Sequence, residues 1–387
     1  MKYLILNAGS SSLKFALFED ENEIIRGKVE RLFFDPVLLI SSLAIEEKKE
    51  VKTYGECVKI VLDELLNRKI ISSLEEINYV GHRVVHGKNI STTIEINKEL
   101  LETLKETVQL APLHNPPAIE TILGSMEFLK VKHFAVFDTA FHQSMPNRFF
   151  KYPIPLYEYR RYGFHGISHK YVYNECKRIL NKDRLTAVTL HLGNGCSMAL
   201  IKDGKVIHTT MGYTPLEGLI MGTRCGNIDP GIVLDIARKK GIDECDKILN
   251  KNSGFIALTG FSDIREIRNL ANLNNAEDLI KLYKQYEFSN SPEDSARLAL
   301  VMFSDRIIQY LSWYKTLEDI EAIIFTGGIG ENFWQIRKLV CLGLKIEIDD
   351  QKNIENEEIL GENPFVCVIK TNEELQIVRE IKEKIIN

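Results

Sequence analysis

The stretch KYLILNAGSSSLKFALFE, residues 2–19, contains the pattern on which the fold prediction rests. An apolar segment, residues 2–7, is followed by the small polar turn 8–12 and by a second apolar segment, residues 13–19. Each apolar segment is short and is bounded by turn residues, which is typical of buried strands. The sequence therefore predicts two strands joined by a loop with little side-chain bulk.

A similar arrangement returns in the second half of the chain. TAVTLHL (186–192) and CSMALI (196–201) are predicted strands, and the turn Gly193-Asn194-Gly195 joins them. EAIIFTGGIGEN (321–332) predicts a third unit of this kind, in which a strand leads through a glycine-rich loop to a helix start. Self-similarity at this wide spacing indicates a duplicated domain rather than a short-period solenoid.

The rest of the chain has a mixed α/β pattern. Pro146, Pro153 and Pro155 lie close together among aromatic residues and indicate a linker. A length of 387 residues favours two domains. A further strand is predicted at 133–142, and helices are predicted at 56–67, 98–110, 117–129, about 293–314, and from Glu373 to the end.

Composition excludes several classes of function. The chain has 49 Lys and Arg against 54 Asp and Glu, a net charge of -5, so it offers no broad basic field for nucleic acid. No apolar run approaches the ~18–20 residues of a membrane span, so we expect no membrane association. The seven cysteines form no CxxC pair, which favours a reducing, cytoplasmic location.

Three small-residue loops follow predicted strands, at 8–12, 193–197 and 327–332. Such loops let backbone N–H groups approach phosphate oxygens closely. None matches GxxxxGK[ST] or GxGxxG, which disfavours a P-loop and a Rossmann dinucleotide site. Any one loop is compatible with a simple tight turn. Three of them at strand ends favour a nucleotide site.

Charged and polar side chains occur in settings that suit an anionic substrate. Arg83 lies in GHRVVHG, Arg160-Arg161 precede GFHG, and Arg224 stands in the otherwise uncharged MGTRCGN. A guanidinium matches a carboxylate or phosphoryl group through two parallel hydrogen bonds. Asp138 ends an apolar strand, where a carboxylate either caps the backbone or organises metal and substrate. Six histidines lie in short polar contexts: His82, His86, His114, His142, His165 and His169.

The spacing of His165 and His169 would place two zinc ligands on one helix face. No HExxH motif or cysteine pair accompanies them, so zinc is disfavoured.

Taken in order, nine segments resemble the acetate kinase family over nearly the whole chain. They are NAGSSSLKF, GHRVVHG, APLHNPPAIE, FDTAFHQSMP, RRYGFHGISHKYV, HLGNG, TPLEGLIMGTRCGNIDP, TGGIGEN and TNEEL. The resemblance implies an α/β fold of two duplicated actin-like ATPase (ribonuclease H-like) domains flanking a nucleotide cleft. It implies domain I at 1–146, with a closing helix 375–387 packing back on it, and a nucleotide-binding domain II at 147–374. It also implies a homodimer.

The activity implied by the resemblance is reversible transfer of the γ-phosphoryl group of ATP to acetate, by direct in-line displacement, giving acetyl phosphate and ADP. The implied cofactor is Mg²⁺, with Mn²⁺ as an alternative, held by Asn7 and Glu373. The implied catalytic residues are Asp138, His165, Arg224, Arg83 and His114. The implied acetate pocket is Arg83, Val85, Leu113, Phe164 and Pro215. The implied ATP-binding residues are Lys14, His191, Leu192, Gly193, Asn194, Gly195, Asp263, Ile264, Arg265, Gly328, Ile329, Gly330, Glu331 and Asn332.

Acetic acid is already ionised at neutral pH, since carboxyl groups have a reference pKa near ~4. We therefore predict that Asp138 orients metal-bound water or Arg83 rather than accepting a proton. A propionate or broader short-chain acyl kinase remains an alternative, because an apolar pocket discriminates weakly per methylene. A non-kinase actin-like ATPase is a more distant alternative. Cys196 and Cys225, which depart from the usual family pattern, predict sensitivity to thiol reagents.

Overall fold

The computed structural model describes residues 1–32, 35–40, 43, 45–111, 114–156, 158–273 and 275–386. The chain divides into two compact units. Unit 1 comprises Met1–Gln143, Phe164–Ser168 and Asn372–Asn387, and unit 2 comprises Ser144–Gly163 and His169–Thr371. Phe164–Ser168, which follow the predicted linker, thus belong to unit 1.

Unit 1 is built on a sheet of eight described strands in the order β5-β4-β3-β2-β1-β6-β8-β7. The strands are β1 (Lys2–Ala8), β2 (Ser12–Glu19), β3 (Asn22–Glu30), β4 (Val37–Ile40), β5 (Ile45–Lys48), β6 (Ile77–Val84), β7 (Ile94–Glu95) and β8 (Lys132–Phe137). Strands β1, β6 and β8 are parallel neighbours, so their carboxyl ends meet at one edge. The remaining pairings are antiparallel.

Helices cover both faces of this sheet because β1 is apolar on both faces. Leu4 and Leu6 pack in one core with helix α1 (Tyr54–Asn67), while Tyr3 and Ile5 pack in another with the closing helix α15 (Glu373–Ile386). This is the period-2 alternation of a strand, here buried on both sides. Helix α1 begins with a Thr53–Glu56 capping box. The other helices of unit 1 are α2 (Lys98–Glu106) and α3 (Asn115–Phe128).

Unit 2 repeats this plan with six described strands in the order β11-β10-β9-β12-β14-β13. They are β9 (Thr186–Leu192), β10 (Cys196–Lys202), β11 (Lys205–Thr209), β12 (Ala322–Thr326), β13 (Ile359–Glu362) and β14 (Phe365–Val368). As in unit 1, an antiparallel trio continues into parallel strands, here β9, β12 and β14. The predicted α/β class and the duplication are confirmed.

The remaining helices follow in chain order. They are α4 (Asn147–Phe150), α5 (Gly166–Ile179), α6 (Pro230–Lys240), α7 (Ile242–Lys251), α8 (Phe255–Thr259), α9 (Ile264–Ala271), α10 (Ala276–Tyr283), α11 (Pro292–Leu317), α12 (Gly327–Asn332), α13 (Trp334–Leu344) and α14 (Asp350–Glu355). Within the described residues, no helix combines the length and the apolar character needed to cross a bilayer.

Three local predictions were wrong. The strand predicted at 133–142 ends at Phe137, and Ala140–Ser144 form a 3-10 helix. The helix predicted at 98–110 ends at Glu106, and turns follow it. The loop predicted at 327–332 is the short helix α12. In the first case a contact distant in sequence replaces the local preference, and in the third case side-chain hydrogen bonds to the backbone of 327–332 do so, as the site geometry below shows.

The closing helix packs against β6 at Gly81, where any larger residue would displace neighbouring side chains. A Cβ added to Gly81 would lie 2.7 Å from side-chain atoms of both Ile377 and Ile381. We expect Gly81→Val to lower the free energy of unfolding by about 2 kcal/mol through overpacking, measured by urea denaturation. Gly55→Ala is the control, because its Cβ would make only ordinary contacts in α1. An unchanged stability of the Gly81→Val variant would contradict this packing.

Candidate active site

Three parallel strands of unit 1 deliver polar side chains to one sheet edge. Asn7 lies near the end of β1, Arg83 near the end of β6, and Asp138 directly after β8. The Asp138 N–H donates to the carbonyl oxygen of Val84 over 3.0 Å, which continues the β6–β8 pairing by one bond. Functional groups commonly gather at the carboxyl edge of parallel strands, where the chain leaves the sheet.

Arg83 links this edge to the first turn of the closing helix. Its Nε and Nη2 donate to the two carboxylate oxygens of Asp138 over 3.1 and 2.7 Å, and its Nη1 lies 2.9 Å from Glu373 Oε2. Asp138 is only 1% exposed. Burial disfavours the guanidinium charge, but Asp138 and Glu373 outweigh it and raise the pKa of Arg83. The geometry of Arg83 is therefore fixed by two carboxylates.

Asn7 stands between two acidic residues of the closing helix. Its Nδ2 donates over 3.4 Å to Glu373 and over 3.4 Å to Glu374. Glu374 is also bound by Arg26 Nη1 at 2.7 Å, which offsets its charge. Lys14 lies directly opposite Asn7 in the antiparallel β1–β2 register, and its side chain is exposed.

The donor set at this edge suits a hard divalent cation. Asn7 and Glu373 carry an amide oxygen and a carboxylate, and Mg²⁺ is bound by one or two such groups together with substrate phosphates. Within the described ranges, no cluster of three or more His, Cys, Asp and Glu side chains is placed to bind a metal.

His165 is held beside Asp138 through the backbone. The Gly166 N–H donates to the Asp138 carbonyl oxygen over 2.9 Å, and a Cβ on Gly166 would lie 2.1 Å from that oxygen. His142 Nε2 and the carbonyl oxygen of Phe164 are 2.9 Å apart, and burial lowers the pKa of His142 to about 4. A neutral His142 therefore donates to Phe164. These contacts explain why β8 stops at Phe137.

Besides Arg83, two described residues of the predicted acetate pocket, Val85 and Phe164, lie in unit 1. Val85 follows β6, and the side chain of Phe164 is almost fully buried, with its ring 5.7 Å from that of His86. Asn115 donates to the His86 carbonyl oxygen over 3.0 Å and accepts from the His86 N–H over 3.1 Å. His114, half-buried, is the N-cap residue of α3 next to Asn115. Leu113 lies outside the described residues.

Arg224 and Pro215 are brought together in unit 2. Arg224 Nη1 donates to the Pro215 carbonyl oxygen over 3.2 Å. No carboxylate among the described residues forms an ion pair with Arg224, and burial lowers its pKa, although the guanidinium stays charged at neutral pH. Arg224 thus presents a positive charge that no carboxylate in the described part of the chain offsets.

Unit 2 contains a cavity of about 740 Å³, in the range typical of small-molecule sites. Its lining includes eight of the predicted ATP-binding residues: Gly193, Asn194, Asp263, Ile264, Arg265, Gly328, Ile329 and Asn332. The lining also includes Gly222, Phe255, Ser262, Arg268 and Phe333, which are not among the residues predicted from the sequence. Arg268 lies three and four residues after Arg265 and Ile264, so helical spacing on α9 was a usable signal.

Close backbone approach shapes the cavity wall. A Cβ on Gly222 would lie 2.1 Å from Asn194 Oδ1, and a Cβ on Gly327 would lie 2.7 Å from the Leu192 carbonyl oxygen. The Gly193 N–H donates to Gly195 over 3.1 Å and closes the turn after β9. Leu192 is a buried strand residue, and the His191 ring lies against that of His169, with centroids 6.3 Å apart.

Helix α12 is stabilised by the carboxylate of its own residue Glu331, which accepts from the first N–H group of the helix. Glu331 Oε1 accepts from the Gly327 N–H at 2.9 Å and from the Thr371 N–H at 3.1 Å. Helix starts leave such donors unsatisfied unless a side chain accepts from them. The ATP-binding role of Glu331 stays a prediction, and in this structure its carboxylate accepts from backbone N–H groups of its own segment and of Thr371. Gly330 is buried, and its carbonyl oxygen accepts from Arg337.

The structure bears on two further predictions, one about the spacing of His165 and His169 and one about the thiol of Cys196. Helix α5 begins at Gly166, so His165 precedes the helix instead of sharing its face with His169, whose ring nitrogens contact Thr189 and Ser197. Cys196 is fully buried, and burial raises the pKa of its thiol to about 12, so Cys196 is a poor target for thiol reagents.

Comparison with known proteins gives one consistent result. The sequence profile of the acetokinase family matches residues 2–379. The acetate kinase of Carboxydothermus hydrogenoformans is 41% identical, with 100% of each chain covered. The structure of a propionate kinase from Francisella tularensis has a TM-score of 0.88 at 37% identity and covers 98% of each chain. The acetate kinase structure from Porphyromonas gingivalis has a TM-score of 0.85 at 33% identity, with 99% of each chain covered.

The Arg83–Asp138 pair provides a test of the unit 1 geometry. We expect Asp138→Asn to lower the free energy of unfolding by about 3 kcal/mol, because it removes the buried one of the two carboxylates that pair with the Arg83 guanidinium. Urea denaturation followed by fluorescence measures the change. Lys88→Gln is the control, since it breaks only the exposed pair with Glu106 and should cost little. Equal effects of both substitutions would contradict a buried pair.

Proposed function

Because the chain belongs to the acetokinase family, we propose that it transfers the γ-phosphoryl group of ATP reversibly to acetate, giving acetyl phosphate and ADP. This makes it an ATP:acetate phosphotransferase with a carboxyl group as acceptor. The carrying observation is the cluster at the carboxyl edge of the unit 1 sheet, where Asn7, Arg83, Asp138 and Glu373 form one hydrogen-bonded network.

In the proposed in-line step, an acetate oxygen forms a bond to the γ-phosphorus while the bond to the β,γ-bridging oxygen breaks. Acetate is ionised at neutral pH, so no base is needed. Asp138 then serves to hold Arg83, since both of its oxygens accept from that guanidinium. We assign three groups to stabilising the charge on the transferred phosphoryl group: Arg83, Arg224 and His165. We assign a supporting role to His114.

We assign Asn7 and Glu373 to Mg²⁺, and Mn²⁺ would suit the same oxygen donors. When bound with nucleotide, the cation supplies positive charge to the phosphate oxygens. Asn7, which contacts Arg83 and the first turn of α15, would help to position the cation.

We assign ATP and ADP to the unit 2 cavity. Phe255, Ile329 and Phe333 provide apolar walls, and the Arg268 guanidinium lies 5.6 Å from the centre of the Phe333 ring. Gly193 and Gly328 present backbone with no side-chain bulk, as close contact with phosphates requires. Lys14, in unit 1, is the exposed cation that we assign to the phosphates.

Acetate is the preferred acid in this proposal, and we assign Val85 and Phe164 of unit 1 to its methyl group, whereas Leu113 and Pro215 stay expectations from the family resemblance. A propionate or broader short-chain acyl kinase is the second candidate, because one similar solved structure is titled a propionate kinase. A non-kinase ATPase would not need Arg83, His165 and Arg224 together.

We further propose a cytoplasmic homodimer. Helix α6 has no buried residue, and it carries the exposed Ile232 and Leu234, with Ile228 before it and Ile242 after it. Exposed apolar side chains in and beside this helix are the observation that supports an interface. All seven cysteines are free thiols, which suits a reducing compartment. Sedimentation of the purified protein measures the assembly state.

The substrate assignment is tested by incubating the protein with Mg-ATP and acetate, propionate or butyrate, and trapping the acyl phosphate with hydroxylamine. We expect the highest kcat/KM for acetate and a decrease of about tenfold or more per added methylene, because the pocket is small. A higher value for propionate would favour the second candidate. ATP hydrolysis without any acyl phosphate would favour the non-kinase ATPase.

The pocket assignment is tested by Val85→Ala, which enlarges the pocket by two methyl groups. We expect the propionate-to-acetate ratio of kcat/KM to rise by about tenfold. Val80→Ala is the matched control, because Val80 is a buried valine of β6, the strand that precedes Val85, and packs in the core against α1. If both substitutions leave the ratio as in the unmodified protein, Val85 does not line the acid pocket.

A further inference from the structure

Arg337 carries a buried charge that the proposed mechanism does not use. It lies on α13, and its side chain is among the largest fully buried ones in the structure. Its Nε donates to Asn353 Oδ1 over 2.7 Å, and its Nη1 donates to the carbonyl oxygens of Gly330 and Glu331 over 2.8 and 3.0 Å. Its Nη2 donates to the Asn353 carbonyl oxygen over 2.5 Å and to Asn356 Oδ1 over 2.6 Å.

All of these acceptors are neutral. No carboxylate among the described residues forms an ion pair with Arg337, whereas buried arginines are normally paired. Burial lowers the pKa of Arg337 to about 10, so the guanidinium stays protonated at neutral pH. Arg83 differs, since Asp138 and Glu373 offset its charge. Arg337 thus retains an uncompensated positive charge.

The charge lies directly behind the wall of the unit 2 cavity. The two carbonyl groups bound by Nη1 belong to α12, whose Gly328, Ile329 and Asn332 line that cavity. A helix of six residues is not stable alone, so α12 depends on such contacts. Glu331 accepts from the first N–H group of α12, and Arg337 donates to carbonyl groups near its last turn. Both charges have the sign that the helix dipole favours.

We infer that Arg337 is a positioning residue with a second, electrostatic effect: it fixes α12 from behind and makes the cavity discriminate phosphorylated nucleotides from the free nucleoside. The inference rests on the proposed role of the cavity as the nucleotide site. Attraction between Arg337 and a ligand scales with ligand charge and is strengthened by the low polarisability of the buried surroundings. Adenosine carries no charge and gains nothing from this effect, whereas AMP, ADP and ATP gain increasingly.

The sharpest test neutralises the charge in place. Asn356→Asp converts the acceptor of Arg337 Nη2 into a carboxylate of the same shape. Asn356 is exposed and has a φ of 59°, a backbone conformation that aspartate tolerates, so the variant should fold. Gln351→Glu adds the same charge on α14 at a side chain that contacts Glu355 instead. It is the matched control.

Calorimetric titration without Mg²⁺ measures the Kd of adenosine, AMP, ADP and ATP for each protein. For Asn356→Asp we expect the Kd of ADP to rise about fivefold, that of ATP to rise more, and that of adenosine to change less than about twofold. For Gln351→Glu we expect every Kd to stay within about twofold of the original. An unchanged ratio of adenosine to ADP affinity in Asn356→Asp would overturn the electrostatic part of the inference.

Arg337→Lys tests the positioning part. Lysine keeps the charge but cannot form the five hydrogen bonds of the guanidinium. We expect the Kd of adenosine and of ADP to rise by the same factor, about tenfold, with the ratio between them preserved. Wild-type affinity for adenosine in Arg337→Lys would overturn positioning. Absence of nucleotide binding by the unmodified protein would instead contradict the proposed function itself, so the two failures are distinguishable.

Discussion

The paired arrangement of Arg83 and Asp138 is the constraint on which the rest of unit 1 depends. One guanidinium joins the ends of β6 and β8 to the first turn of the closing helix, over sequence separations of 55 and 290 residues. A partly buried cation paired with a buried carboxylate is stable only when its partners are fixed. Those partners are fixed by the sheet on one side and by the packing of α15 on the other.

Unit 2 retains its positive charges in a different way. Arg337 donates only to neutral oxygen atoms, Arg224 donates to the carbonyl oxygen of Pro215, and neither forms an ion pair with a described carboxylate. Burying an unpaired charge costs free energy unless hydrogen bonds compensate for it. The retained charge suits a unit whose proposed ligand is a polyanion. In unit 1 the paired charges instead hold a fixed network of donors and acceptors.

The pattern of apolar segments and small turn residues along the sequence made much of the architecture predictable. The apolar segments of β1, β2, β9 and β10 are short and bounded by glycine and serine, so their strand state follows from local preference. The end of β8 and the helical state of 327–332 did not follow from local preference. At the end of β8, the N–H group of Gly166 donates to the carbonyl oxygen of Asp138, from a position far along the chain. In α12, the side chains of Glu331 and Arg337 form hydrogen bonds with the helix backbone, and no local sequence pattern indicates these bonds.

The sequence by itself determined the α/β class, the duplication, the family and the residue types available for phosphate and carboxylate binding. These depend on short motifs and on periodicity, which are local properties of the chain. Only the tertiary structure decided which groups meet: that both Asp138 oxygens accept from Arg83, that Glu331 binds its own helix, and that Arg337 lies unpaired behind the cavity. Charge partners are chosen by distance in space, and residues far apart in sequence become neighbours only when sheets and helices pack.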